Sequence, residues 1–165
     1  MAHEFYVTIT GTKQGAFKGE SIREKHSSKL SGLSYSHSIQ SPRDVATGQA
    51  SGKRQHGAVQ ITKEWGAATP QIFQALVSNE VLKDVLFEFV QTTPDGMEQV
   101  YYTVKLINAT VSAVSYTTGG GESAESAKTT ATHDTHELEK VSFTYQRIEV
   151  EHKAGKTSAV DDWRQ

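Results

Sequence analysis

The densest group of possible metal ligands in the sequence is His133, Asp134 and His136, followed closely by Glu137 and Glu139. Imidazole and carboxylate groups are common zinc ligands. The group lacks the two-histidine helical spacing of zinc proteases, and a strand that began there would turn residues 133 and 136 to opposite faces. We therefore interpret the run as a surface loop that enters a strand, and we predict no bound metal.

Other residue types that catalyse reactions are not arranged for catalysis either. Serines are numerous, but no Gly-x-Ser-x-Gly motif positions one of them as a nucleophile. The glycines at 119–121 lack the Lys-Ser/Thr and the helix of a phosphate-binding loop, and the chain has no cysteine. His37 lies on an apolar strand face, where a buried, hydrogen-bonded histidine is the expected arrangement. The sequence therefore favours a protein that is not an enzyme and needs no cofactor.

Composition and charge narrow the class of protein further. A chain of 165 residues suits one domain, which we place at 1–165. The 17 Lys and Arg oppose 19 Asp and Glu without any block of like charge, so nucleic acid is not an expected partner. No apolar run approaches the roughly 20 residues that span a bilayer, and the start does not resemble a secretory leader. We expect synthesis in the cytosol, no membrane insertion, and export only through a dedicated machine.

Alternation of apolar and polar residues with a period of two dominates the chain and predicts β-strands. Strands are predicted at residues 4–10, 33–40 and 59–65, and a β-hairpin at residues 83–106. In the second strand, one face is apolar and the other is small and polar. The apolar face carries Leu33, Tyr35, His37 and Ile39, and the polar face carries Ser34, Ser36, Ser38 and Gln40.

One helix is predicted, with Thr69 as its N-cap and Pro70 at the first helical position. An apolar stripe follows at helical spacing, and Asn79 is the expected C-terminal stop. The stripe consists of Ile72, Phe73, Leu76 and Val77. A helix this short is marginal alone, so it must pack against a sheet.

The apolar phase of the strands changes three times: between Leu106 and Ile107, back again between Ala113 and Val114, and once more between Tyr145 and Ile148. Such a change implies a bulge or a bend. A long strand that changes faces can serve two packed sheets or the corner of a barrel. The predicted fold class is therefore mainly β, an antiparallel barrel or sandwich of two sheets with one flanking α-helix.

Residues 41–57 contain Pro42, Gly48, Gly52 and the basic pair Lys53 and Arg54, without any hydrophobic period. Loops of about fifteen residues are uncommon inside compact domains unless they carry a function. We therefore predict that this loop is an arm that contacts another molecule.

Several segments together resemble the haemolysin-coregulated protein (Hcp) family of type VI secretion systems. The resemblance covers almost the whole chain, and its most specific part is the ending at 138–163. The segments are residues 1–9, the 11–19 stretch, His56-Gly57, the helix opening at Ala68-Thr69-Pro70, and Leu138-Glu139, Val141 to Glu149, His152, Gly155 to Ala159 and Asp161-Asp162-Trp163. Val150 departs from the family pattern, which favours Trp at that position.

The resemblance implies a fold like that of the tail-tube proteins of contractile phages. It also implies hexameric rings that stack into the inner tube of the secretion apparatus, inside a contractile sheath and beneath a spike protein. Family members are exported, and small effectors of some systems bind in the ring lumen. The expected partners are therefore copies of the same chain, the sheath, the spike protein and small secreted effectors.

Three groups of candidate contact residues follow from these expectations. The lumen-facing candidates are Ser34, Ser36, Ser38 and Gln40. The candidates for contact between subunits are Arg43, Asp44, Lys53, Arg54 and His56. The candidates for ring stacking are Asp95 and Gly96 at the hairpin turn and Lys153, Lys156 and Thr157 near the end of the chain.

Three other interpretations of the same sequence remain open. A monomeric β-sandwich could bind carbohydrate or peptide through the serine face or the tail that contains Trp163. A metal-dependent hydrolase would use His133, Asp134 and His136. A phage tail-tube subunit would follow the same physical rules and differ only in its genomic neighbours.

Overall fold

The computed structural model describes residues 4–19, 29–118 and 137–162. Within them the chain forms antiparallel strands and one helix. In chain order these are β1 (Glu4–Gly11), β2 (Gly15–Ala16), β3 (Leu30–Gly32), β4 (Ser34–Ser36), β5 (Ile39–Gln40), β6 (Gln55–His56), β7 (Val59–Glu64), α1 (Thr69–Val77), β8 (Leu82–Thr92), β9 (Glu98–Thr117), β10 (Leu138–Thr144), β11 (Arg147–His152) and β12 (Thr157–Asp162). The candidate metal run at 133–136 and the glycines at 119–121 lie outside the described residues.

The longest strand, β9, is shared by two sheets. In its first part, Tyr102 lies opposite Phe89 of β8 on one side and His152 of β11 on the other. In its second part β9 pairs with β10. Between the two parts Asn108 has a φ of 52°, a left-handed conformation that interrupts the regular pleat. The change of apolar phase predicted after Leu106 is therefore confirmed as a bend between two sheets.

Within the described residues, the two sheets share strand β9. The first has the strand order β2, β1, β8, β9, β11, β12, with β3 also paired to β1, and the second has the order β9, β10, β7, β4. Across the described residues this order runs from β2 to β4 without closing. The predicted fold class is confirmed in its sandwich form, mainly β with antiparallel sheets and one helix.

The core lies between the sheets and is rich in aromatic side chains. Phe87 of the first sheet meets Phe143 of the second, with ring centroids 6.1 Å apart. Tyr35 of β4 packs edge-on against Phe87 at 5.3 Å. Such edge-to-face pairs add about 0.5–1.5 kcal/mol beyond the burial of their area. Because side chains alternate along each strand, one face of each sheet is apolar, and the two apolar faces pack together to form the core.

The helix begins at Thr69, and Ala68 rather than Thr69 occupies the N-cap position. The predicted cap was therefore wrong by one residue, although Pro70 does lie in the first turn. The Thr69 hydroxyl is used differently, since it accepts a hydrogen bond from the backbone N–H of Gly66 at 2.9 Å and donates to Glu139 at 3.1 Å.

Half of the predicted apolar stripe does not face the sheet. Phe73 and Val77 remain 52% and 58% exposed, whereas Ile72 and Ala75 are buried. The small Ala75 side chain lets the helix lie close to β9, so the buried face turns toward it and away from Phe73. Asn79 has a φ of 52° just after the helix, which confirms it as the C-terminal stop.

The strand predicted at residues 33–40 is divided in two. Strand β4 pairs with β7 in the second sheet, whereas β5 pairs only with β6. Leu33 and Ile39 are consequently about half exposed, at 57% and 49%, and only Tyr35 of the predicted apolar face packs against the core. The division falls next to His37, whose Nε2 lies 2.7 Å from the Tyr145 hydroxyl.

A buried ion pair explains the lysine on the apolar face of β7. Lys63 is completely buried, and its Nζ lies 2.6 Å from Oε1 of the equally buried Glu139. The same ammonium donates to the carbonyl of Glu64 at 2.6 Å. Because Thr69 donates to that Glu139 oxygen as well, the pair joins β7, β10 and the start of the helix.

Candidate subunit-contact surfaces

Residues 39–56 form an antiparallel arm and not the irregular loop predicted for this region. Ile39 lies opposite His56, and Arg43 forms a bridge with Ala50. A backbone hydrogen bond lies next to each of these pairs. Ser51 N donates to the Pro42 carbonyl at 3.0 Å, and Gly57 N donates to the Ser38 carbonyl at 2.8 Å. The strands of the arm were not predicted because most of its side chains are polar and exposed, so the segment has no hydrophobic period.

The arm tip is a preformed turn with an apolar apex. Asp44 N donates to the Gln49 carbonyl at 2.7 Å, and Gly48 N donates to the Asp44 carbonyl at 2.8 Å. The Asp44 carboxylate also accepts from Ala46 N at 2.8 Å. Gly48 has a φ of 74°, which glycine adopts without strain. Val45 stands between these groups and is fully exposed, at 103%.

A polar cluster, which we call the latch, ties the base of the arm to β12. It consists of Arg54, His56, Tyr145 and Asp161. Oδ2 of Asp161 lies 2.5 Å from Nε of Arg54 and 2.7 Å from Nε2 of His56. Arg54 Nη2 donates in addition to the backbone carbonyl of Asp162 at 2.8 Å. The end of β12 therefore binds both His56 of β6 and Arg54, which directly precedes β6.

Tyr145 connects the latch to His37. Its hydroxyl lies 3.0 Å from Nδ1 of His56 and 2.7 Å from Nε2 of His37. A tyrosine hydroxyl can both donate and accept hydrogen bonds, so Tyr145 links His37 to His56, and His56 continues this relay of hydrogen bonds to Asp161. The tyrosine lies in the connection between β10 and β11, so the relay joins the arm to both sheets.

Burial and neighbouring charges shift the pKa values of these groups in consistent directions. The hydrogen bond from Arg54 leads in holding the pKa of Asp161 below its usual value, with further help from His56. Burial, followed by the charge of Asp161, raises the pKa of Tyr145 to about 12. Burial, followed by proximity to His56, lowers the pKa of His37. Near neutral pH the cluster therefore holds an ionised carboxylate, a protonated phenol and a neutral His37.

The latch could not be found from sequence spacing. Arg54 and His56 lie 107 and 105 residues from Asp161. The sequence assigned both to contact with a neighbour, whereas within this chain they bind Asp161. Arg43, Asp44 and Lys53 are exposed along the arm, where they can meet another copy. Contact of these five residues with a neighbour stays a prediction.

The serine face is exposed but does not form one continuous strand face. Ser34 and Ser36 lie on β4 at the edge of the second sheet, Gln40 lies on β5 in the arm, and Ser38 lies between the two strands. All four side chains are accessible to solvent. Their orientation toward a lumen stays a prediction.

The turns predicted to stack rings lie at the same end of the first sheet. Asp95 and Gly96 form the β8–β9 turn of the predicted hairpin, which is confirmed, and Gly96 has a φ of 80°. Because Tyr102 pairs with His152, the β11–β12 turn emerges beside the start of β9. That turn carries Lys153 and Lys156, and the remaining candidate, Thr157, is the first residue of β12. We call this end the turn end.

The opposite end of β11 and β12 carries the latch. Arg147 pairs with Asp162 there, next to Asp161. Four residue steps separate Thr157 from Asp161, a distance of roughly 13 Å along the strand. The first sheet therefore has two chemically different ends, which we call the turn end and the latch end.

A groove of about 250 Å³ opens near the turn end. Tyr102, Val150 and Ala159 contribute apolar atoms, and Glu151 and His152 contribute polar groups. Thr157 and Ser158 complete the lining. The ring of His152 is fixed in place, because its Nδ1 accepts a hydrogen bond from Gly155 N at 2.8 Å.

Within the described part of the chain, no group of three or more His, Cys, Asp or Glu side chains is placed to hold a metal ion. The described helix is too short to cross a membrane.

The chain resembles known proteins along almost its full length. The family model described as "Type VI secretion system effector, Hcp" matches residues 6–152. A protein named "Major exported protein" from Pseudomonas aeruginosa is 35% identical over 173 residues, which cover 99% of this chain and 97% of that protein.

Solved structures share the fold over the same length. A crystal structure of an Hcp protein superposes with a TM-score of 0.88 at 28% identity, covering 99% of both chains. The secreted protein Hcp3 from Pseudomonas aeruginosa gives a TM-score of 0.78 at 29% identity, covering 99% of this chain and 100% of its own.

Proposed function

This chain belongs to the Hcp family of type VI secretion proteins, and on that premise we propose that it is a structural subunit of the secretion tube. Copies of the chain form hexameric rings, and the rings stack head to tail into a tube that is exported. The observation that carries the proposal is the agreement of family and fold over 99% of the chain. The role is structural and involves no catalysis.

The two different ends of the first sheet support a stack that grows in one direction. A head-to-tail contact joins two unlike surfaces, and it produces an open filament when the contact does not close on itself. The turn end offers two exposed turns with Asp95, Lys153 and Lys156, whereas the latch end offers Asp161, Asp162 and the base of the arm. Because the stacking candidates share one end, they meet latch-end residues of the next ring and do not meet each other.

The arm supports contact between copies. Backbone pairs order its base and its tip, and Asp161 fixes the base, so less backbone freedom remains to be lost when a neighbour binds. Most side chains of the arm are exposed, and they include both positive and negative charges, such as those of Arg43, Asp44 and Lys53.

The lumen of the ring is the proposed site for small effectors. Ser34, Ser36, Ser38 and Gln40 offer uncharged hydrogen-bonding groups that suit a wetted channel wall. The proposal further includes assembly in the cytosol, enclosure by a contractile sheath and a spike protein at the tip of the tube. The name of the Pseudomonas relative, a major exported protein, supports export.

Negative-stain electron microscopy with light scattering on the same sample tests the assembly. We expect open-centred rings with a mass of about six chains of 18.1 kDa. A compact monomer at high protein concentration contradicts the proposal and favours the ligand-binding β-sandwich, for which ligand screening is the next experiment.

A further inference from the structure

The apex of the arm and the groove near the turn end are complementary in size. Val45 is fully exposed at 103%, so within one copy the arm does not bury its own tip. The groove of about 250 Å³ exceeds the roughly 150 Å³ that accommodates benzene in an engineered apolar cavity. The isopropyl group of a valine therefore fits beside Tyr102 and Ala159.

The charges around these two surfaces are complementary as well. Arg43 and Asp44 directly precede Val45 on the arm. Glu151 lines the groove, and Lys153 follows in the adjacent turn. Each surface thus carries one cation and one carboxylate, so two oppositely charged pairs can form across the contact.

The positions of the two surfaces suit a contact between rings. The arm is rooted at the latch end, beside Asp161, and the groove lies toward the turn end, beside Thr157 and Ser158. A contact between unlike ends propagates along a stack. We infer that Val45 of one copy inserts into the groove of a copy in the next ring; this inference rests on the proposed function and names the surface that receives the arm.

Cysteine trapping tests the inference directly, because the native chain has no cysteine. Rings of the Val45→Cys variant and rings of the Ser158→Cys variant, carrying different tags, are purified separately, mixed and mildly oxidised. We expect a disulfide-linked dimer that contains both tags. The matched control pairs Val45→Cys with Lys140→Cys, an exposed position on β10 of the second sheet, and should give little mixed dimer.

The outcomes separate the inference from the proposed function. Mixed dimers formed at the same low level as in the Lys140→Cys control, from rings that are intact by electron microscopy, overturn the arm-to-groove contact and leave the ring proposal standing. A sample without rings overturns the proposed function, and the inference with it.

A second pair of variants tests the contact without a covalent bond. Val45→Asp places a charge in the groove and should weaken ring stacking at least about tenfold, because a buried side chain of this size contributes at least that factor. Val45→Ile keeps the apolar contact and should stack within about threefold of the native chain. Equal stacking of the native chain and Val45→Asp contradicts the inference.

Discussion

Asp161 is the residue on which the position of the arm depends. A single oxygen of its carboxylate accepts from Arg54 and from His56, and each of these belongs to the arm or its flank. The tip of the arm has only local hydrogen bonds. Loss of the carboxylate should therefore release the arm while the sheets stay folded.

Asp161→Asn should accelerate hydrogen exchange in the arm. We expect the amides of Ser51 and Gly57 to exchange about two- to fivefold faster, because a partly exposed charge pair of this kind contributes modestly. Core amides such as that of Phe87 should not change. The control is Asp95→Asn in the exposed β8–β9 turn, and an equal effect of both variants on the arm contradicts the role of Asp161.

His37, which is hydrogen-bonded to the latch through Tyr145, should make the stability of the protein sensitive to acid. In the folded chain burial, and then His56, lower the pKa of His37 below its usual 6.5, so the unfolded chain takes up the proton at higher pH. Stability should therefore fall as the pH drops below about 6.5. Asp161, with its lowered pKa, contributes stability that is lost only as the pH falls below about 3.8.

Melting temperatures between pH 7.5 and pH 5 test the contribution of His37. The groups that face this ring are Tyr145 and His56, with Asp161 beyond them. His37→Gln removes the titrating ring, so we expect a smaller loss of melting temperature on acidification. His152→Gln, at the turn end, is the control. Parallel pH profiles for the native chain and His37→Gln contradict this account.

At the scale of elements, the Lys63–Glu139 pair holds strands β7 and β10 and the start of the helix together. Lys63→Met should lower the free energy of unfolding by about 3–5 kcal/mol, because it leaves a buried carboxylate without its cation. The double variant Lys63→Met, Glu139→Leu should recover most of this loss, since a pair of well-packed apolar side chains is often as stable as a buried ion pair. Urea denaturation measures both.

The exposed Lys83 on β8 provides the control for these variants. Lys83→Met should change the unfolding free energy by no more than about 0.5 kcal/mol. A double variant as unstable as Lys63→Met alone contradicts the electrostatic account and indicates that the shape of the lysine side chain matters most.

The strands and bends that were predicted correctly are those whose sequence pattern depends on residues close together in the chain. The bend in β9 was predictable, because the apolar phase changes within one residue of Leu106. The arm was missed because most of its side chains are polar and exposed, so apolar and polar residues do not alternate there. Phe73 was placed on the wrong side of the helix because helical spacing gives a stripe but not its orientation toward a sheet.

The candidate site was predictable only in part for the same physical reason. Exposed charges such as Arg43 and Asp44 are visible in the sequence as a polar, glycine-containing segment. The bonds from Arg54 and His56 to Asp161 depend on how the whole chain folds, and more than 100 residues separate the partners.

At the scale of the whole molecule, the arm should be separable from the sandwich. A variant in which residues 41–54 are replaced by Asn-Gly keeps both sheets, so its melting temperature should stay within a few degrees of the native value. Ring stacking should be lost, because the contact inferred for Val45 cannot form. Electron microscopy and calorimetry on the same preparation test this, and normal tubes from the shortened chain contradict it.

The sharing of β9 by both sheets has a mechanical consequence. Its 20 residues have a contour length of roughly 65 Å and form one continuous backbone connection between the sheets, bent at Asn108. A pull along this connection reaches both sheets through the backbone itself and loads their hydrogen bonds in shear, where many bonds must break together. Single-molecule pulling along β9 should therefore show one rupture event for both sheets.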